Sequence, residues 1–125
     1  MVQPRILIID DDPNILELYS RLLKKHGYDT IEAKNGKIGM KLYRENPTDL
    51  IITDVVMPEK EGIEVIRELR RDFPDAKIVA ISGGGIATSG AMCLQIADRL
   101  GACRTFTKPI SSAELLKAVQ ELLEK

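Results

Sequence analysis

Two apolar rhythms alternate along this chain, and that alternation limits its possible folds more than any other feature. Continuous apolar runs in "RILIID", "DTIEA", "DLIITD", "KIVAIS" and "RTFTK" are each followed by a segment whose apolar residues recur at helical spacing. A solid or two-residue apolar pattern belongs to a strand, and a period near 3.6 belongs to an amphipathic helix. Five βα units are therefore predicted. In the first helix Ile15, Leu16, Tyr19, Leu22 and Leu23 share a face, with Asp12 as N-cap, Pro13 in the first turn and Gly27, after His26, as the stop. The second helix centres on Ile38 and Leu42, and the third groups Ile63, Ile66, Leu69 and Phe73. The fourth groups Cys93, Ile96, Ala97 and Leu100, and the last groups Leu115, Leu116, Val119, Leu122 and Leu123.

Alternating βα units imply an α/β fold, because right-handed crossovers return each strand parallel to another with helices on both faces. "ILII", "LII" and "IVAI" are apolar throughout, as strands covered on both sides must be, whereas "TIEA" and "RTFT" mix polar with apolar residues and suit edges. Strands 1, 3 and 4 are thus expected at the centre of a flavodoxin-like, doubly wound five-stranded parallel sheet of order 2-1-3-4-5. In that order the switch point falls between strands 1 and 3, and ligands sit beyond the carboxyl ends there.

The size of the chain, 125 residues, fits one domain over residues 1–125 and leaves little room for an output domain. Its charges nearly cancel at a net -1, so no global field marks a nucleic-acid or membrane partner. The N-terminus does not read as a signal peptide and no apolar run reaches the length of a membrane span, so a cytoplasmic location is expected. Cys93 and Cys103 have neither metal-ligand nor redox spacing and are expected to be buried thiols.

Asp10, Asp11 and Asp12 follow the first apolar run directly. Two carboxylates about 4 Å apart repel by roughly 4 kcal/mol at an effective dielectric near 20, so such a cluster calls for solvent, a proton or a cation. Asp12 is accounted for as a helix cap. The predicted topology brings further groups to the same rim as Asp10 and Asp11: Asp54 from strand 3, Ser82 from strand 4 and Lys108 from strand 5. Carboxylates converging from neighbouring strands suit a hard cation such as Mg2+, which keeps several waters and takes phosphate oxygens. A lysine and a hydroxyl facing that ion would hold the remaining oxygens of a phosphoryl group. The lone His26 belongs to a helix end, where capping is the simpler role, and its solitude argues against this chain being a phosphohistidine donor. Met57 and Phe106 read as core.

Taken together, "IIDDDP", "DVVMPEKEG", Ser82 and "TKP" resemble the receiver domain of bacterial two-component response regulators over essentially the whole chain. The resemblance implies that Asp54 accepts a phosphoryl group from a phosphohistidine of a sensor histidine kinase or histidine phosphotransfer protein. It implies that Asp11 and Asp54 ligate Mg2+ (or Mn2+) by side chain, Val56 by its backbone carbonyl and Asp10 through water. Lys108 would pair first with the Asp54 carboxylate and then with phosphoryl oxygens, to which Ser82 and the Gly83 amide would also donate. It further implies a cis Lys108-Pro109 peptide. The phosphorylated state would change the face made by helix 4, strand 5 and helix 5 for a downstream protein target. The chain would catalyse its own phosphorylation and dephosphorylation, with no separate substrate turned over.

Two departures from the family pattern stand out. "SGGGIATSG" is longer and richer in glycine than the usual connection after strand 4, and it is not a phosphate-binding P-loop because no Gly-Lys-Ser/Thr follows. Thr105 stands where the family often carries an aromatic switch residue, and Phe106, one step along, faces the other way. Two other readings are compatible with parts of the pattern. One is a degenerate receiver used purely for docking. The other is a Mg2+-dependent phosphohydrolase of the haloacid dehalogenase type, suggested by Asp10-x-Asp12, though it would want threonine where Asn14 stands.

Overall fold

In the computed structural model, which describes residues 3–55, 61–83, 103–108 and 110–123, five parallel strands hydrogen-bond in the order β2-β1-β3-β4-β5. They are β1 (Arg5–Ile9), β2 (Asp29–Ala33), β3 (Leu50–Asp54), β4 (Ile78–Gly83) and β5 (Arg104–Lys108). The described helices are α1 (Pro13–Lys25), α2 (Gly36–Glu45), α3 (Glu61–Asp72) and α4 (Ser112–Leu123). The predicted helix containing Cys93, Ile96, Ala97 and Leu100 lies outside the described residues, as do Val56, Met57, Pro58 and Pro109.

The expected distribution of buried strands is what the sheet shows. Every residue of β3 and the last four of β1 are buried, while β2 and β5 are exposed or intermediate along most of their length. Side chains alternate across a strand, so each central strand feeds two cores. Leu7, Ile9, Ile51, Ile78 and Ala80 pack with Met40, Tyr43, Ile63, Ile66 and Leu69 on the α2 and α3 side. Ile6, Ile8, Leu50, Ile52, Val79 and Ile81 pack with Leu16, Tyr19, Leu23, Leu115 and Val119 on the α1 and α4 side. Phe106 joins this second core, as its position in β5 predicts.

Local chemistry sets the helix ends. Asp12 caps α1, its carboxylate accepting from the Asn14 N–H at 2.9 Å, and Pro13 needs no partner for a missing N–H in the first turn. Gly27 stops the helix at φ +91°, a left-handed conformation that glycine adopts without a steric penalty. The ring of His26 bonds through Nδ1 to the Leu22 carbonyl at 3.0 Å, which is the capping role expected of it. Asn35 caps α2 through the Ile38 N–H at 2.8 Å. At the start of α4 the Ser111 hydroxyl accepts from the Glu114 N–H and donates to the Glu114 carboxylate, both at 3.1 Å.

Cys103 is a correction. It is exposed rather than buried, lying one residue before edge strand β5, where its sulfur is 3.7 Å from the Arg70 guanidinium of α3. Phe73 likewise falls one residue past the end of α3, although it still packs against the first core.

Gly39 shows how closely α2 approaches the sheet. A Cβ there would stand 2.5 Å from Cδ1 and 2.8 Å from Cγ1 of Ile9, a side chain that is itself fully enclosed. Gly39→Ala would gain about 1 kcal/mol of helix propensity but force overpacking that costs about 1–3 kcal/mol. The expected outcome in urea denaturation is a net loss of about 1 kcal/mol, shrinking when Ile9→Val removes the nearer methyl. A stabilised Gly39→Ala protein would contradict this close packing.

Candidate functional site

The strand register explains why distant acids meet. Ile9 of β1 lies beside Thr53 of β3, so the residues that follow, Asp10 and Asp54, leave the sheet at the same level. Asp10 stays in line because its N–H still bonds to the Ala33 carbonyl of β2 at 3.1 Å. The backbone on either side of Asp54 is held by the Thr53 hydroxyl, which donates to the Asp54 carbonyl at 3.1 Å, and by the Val55 N–H, which donates to Ile81 at 2.9 Å.

Asp10, Asp11 and Asp54 each offer a carboxylate oxygen, and these oxygens lie within 4.8 Å of one another. Asp10 and Asp54 are buried and Asp11 is exposed, so the cluster opens to solvent on one side. Lys108, from the far edge of the sheet, reaches back across it. Its Nζ donates to Asp10 Oδ2 at 2.8 Å and to Asp54 Oδ2 at 3.4 Å. The other Asp10 oxygen accepts from the Asp12 N–H at 2.9 Å, which connects the site to the capped start of α1. Burial by itself would push the Lys108 ammonium down. The hydrogen bond that Lys108 donates to Asp10 and the charges of Asp54 and Asp10 outweigh it and hold its pKa above the ordinary lysine value.

The other residues singled out from sequence fall as follows. Ser82 is fully buried on β4 beside Thr107, and Gly83 pairs in register with Lys108. By the alternation of β4, Ser82 leaves the strand on the face of Ile78 and Ala80, opposite that of Val79 and Ile81. The position of Val56 lies outside the described residues. Two features were not found from sequence. The shorter Lys108 bond goes to Asp10, which was expected to reach the metal mainly through water; nothing in the one-dimensional pattern ranks two acids by their distance from one lysine. Tyr19 was counted simply as an apolar face residue of α1, yet its phenol feels the charges of Lys108, Asp10 and Asp54. Burial is the main reason that its pKa stands above the ordinary tyrosine value. A polar-tipped residue on the apolar face, two turns after the cap, was the available signal.

A family profile described as "Response regulator receiver domain" matches residues 6–120. The chain belongs to the response-regulator receiver family. Its sequence is 32% identical over 120 residues to Protein PilH of Pseudomonas aeruginosa, covering 95% of this chain and 97% of that protein. It is 37% identical over 127 residues to the DNA-binding dual master transcriptional regulator RpaA of Synechocystis, covering 98% of this chain but 50% of that longer protein. Among solved structures, a response regulator receiver domain protein from Clostridium thermocellum superposes with a TM-score of 0.87 at 27% identity, covering 97% of this chain and 94% of that one.

Two surface hollows of this receiver lie away from the carboxylates. One of about 690 Å³ runs past Thr48, Asp49, Phe73 and Lys77, and another of about 720 Å³ lies between α2 and α3 beside Lys37, Arg44 and Glu68. Their charged groups are spread along helix faces or spent in pairs such as Arg44 with Glu68, so neither gathers a convergent set. No described helix of the receiver is long and apolar enough to cross a membrane.

The Lys108 side chain is 20% exposed, and the Asp10 and Asp54 side chains 3% and 5%. Removing the cation would leave two enclosed carboxylates without their shared counter-charge, a loss usually worth about 3–5 kcal/mol for a buried pair. Lys108→Met is therefore expected to lower stability by about 2–4 kcal/mol in urea titrations at pH 7 with a chelator present. Because the folded pKa of Lys108 is raised, its stabilisation is complete below the ordinary lysine pKa and is lost as pH rises through the folded value. The gap between the two proteins should accordingly hold from neutral pH to about pH 10 and close only above it.

Proposed function

We propose that this chain is a phosphoacceptor switch in two-component signalling, with Asp54 as the residue phosphorylated by a sensor histidine kinase or a histidine phosphotransfer protein. The observation that carries this reading is one lysine ammonium bonded to carboxylates from two neighbouring strand ends, Asp10 and Asp54, with Asp11 alongside. Membership of the receiver family supports it.

The donor set fits a hard divalent cation. It consists only of oxygen, it contributes few protein groups, and the exposed Asp11 leaves a side open for water and phosphate. Asp10, Asp11 and Asp54 would hold Mg2+ (or Mn2+), with the Val56 carbonyl as a further ligand. When bound, the ion would offset the negative charge that otherwise keeps a phosphoryl group away from a carboxylate. Asp54 supplies the nucleophilic oxygen. Its bond to phosphorus forms as the bond from phosphorus to the donor imidazole nitrogen breaks, and charge compensation with alignment accounts for most of the catalysis.

Lys108 already stands between Asp10 and Asp54, so it can turn to the phosphoryl oxygens without entering from solvent. The Gly83 N–H, next to Lys108 in register, and the Ser82 hydroxyl one residue before it are further donors in this reading. Drawing those donors toward a new dianion would displace the connection after β4. The displacement would be felt on the face made by the predicted fourth helix, β5 and α4, where a downstream protein target would bind. Phe106 is packed against the second core, and Thr105 takes the alternate side of β5. Any output signal would therefore travel without an aromatic ring swinging at residue 105.

The reading is tested by incubating the protein with Mg2+ and acetyl phosphate and measuring intact mass. One labile phosphoryl adduct is expected, absent after chelation and absent in Asp54→Asn. Ser82→Ala should slow uptake by roughly 10–100-fold. An unmodified chain that gains no adduct and does not bind beryllofluoride would support a pure docking role, and sustained phosphate release from many phosphate esters would support a hydrolase.

A further inference from the structure

The face of the sheet that carries the carboxylates also carries a residue for which the phosphoacceptor reading has no use. Alternation places Asp10 above Ile6 and Ile8, Asp54 above Leu50 and Ile52, and Lys108 above Phe106. All five of these apolar residues belong to the core that α1 covers, and so does Tyr19. Tyr19 therefore lies in the core on the same face of the sheet as the charged groups.

Direction follows from helix geometry. Tyr19 stands seven residues after the Asp12 cap, about 10 Å along the axis at roughly 1.5 Å per residue. Long side chains on a helix lean back toward its N-terminus, over the preceding turn. The phenol is thus carried toward the end of α1 where Asp10 and Lys108 sit, and the influence of the Lys108, Asp10 and Asp54 charges on it agrees with that direction. The ring is buried, 5% exposed, and the hydroxyl makes no hydrogen bond among the described residues. An ammonium has three protons to donate, and Lys108 directs two of them to Asp10 and Asp54.

We propose that Tyr19 is a positioning residue for Lys108, its hydroxyl closing on the third ammonium proton, directly or through one water, and so keeping the cation over Asp54 while phosphorus is transferred. This rests on the phosphoacceptor reading and adds to it a residue that does not touch the phosphoryl group. A water bridge costs little relative to a direct bond, so the separation between phenol and ammonium does not weaken the argument. A phenylalanine would fill the same space in the core without the hydroxyl, and a purely structural Tyr19 would be replaced by it with no effect on chemistry.

The test is a double-mutant cycle of Tyr19→Phe and Lys108→Ala on the full chain, reading the rate of phosphoryl uptake from acetyl phosphate with Mg2+. Tyr19→Phe is expected to slow uptake about fivefold when Lys108 is present and to have no further effect when it is absent. A rate within about twofold of the unmodified protein, or an equal loss in both backgrounds, would overturn the proposal. A second readout does not depend on phosphorylation. The nitrogen-15 signal of the Lys108 ammonium should weaken in Tyr19→Phe, because its protons exchange faster with water once a partner is lost, and an unchanged signal would also overturn the assignment. If the unmodified protein took no phosphoryl group, the phosphoacceptor reading would fail by itself, and the ammonium signal would still decide whether Tyr19 holds Lys108.

Discussion

Burial of β1, β3 and β4 on both faces is the constraint from which the rest of this structure follows. A strand covered from both sides excludes unpaired charge along its length, since an unpaired carboxylate there would cost several kcal/mol. Charged groups that must belong to these strands are therefore confined to the ends. Parallel pairing then puts all the carboxyl ends on one edge of the sheet, and the register of Ile9 beside Thr53 brings Asp10 and Asp54 out at one level. The site is a consequence of how the core excludes charge.

Such a rim would be unstable if it held only acids. Lys108 relieves it, and it does so from an edge strand, where a long side chain can lie across the sheet end instead of into it. The same arrangement explains why one cation serves two carboxylates at unequal distances. Asp10 is held by two bonds, to Lys108 and to the Asp12 N–H, and this fixes the lysine near Asp10 while leaving it within reach of Asp54. A cation held in this way is ready to exchange one partner for another, as a transfer of negative charge onto Asp54 would require. The Asp12 cap contributes to both sides of the arrangement, since it ends the unsatisfied N–H groups of α1 and orients the acid next to it.

Much of this was visible before any coordinates. The five strands, their order and the division between solid central runs and mixed edges follow from apolar patterning alone, as do the Asp12 cap and the Gly27 stop. Cys103 went wrong because a cysteine beside an apolar run looks buried in one dimension, whereas at the margin of β5 it is exposed, its sulfur 3.7 Å from the Arg70 guanidinium of α3. Phe73 kept its core contact but not its helix, because packing depends on where a side chain arrives and not on whether its backbone is helical.

What the sequence by itself determined was the set of elements and which residues stand at their ends, because hydrophobic period and capping chemistry act over a few neighbouring residues. Only the tertiary structure decided which of those end groups touch. That Lys108 lies closer to Asp10 than to Asp54, that Gly39 lets α2 approach Ile9, and that the Tyr19 phenol feels the charges of the rim are matters of distance between segments far apart in the chain. Such distances are set by side-chain packing across the sheet, which a linear pattern constrains only to a face and a level.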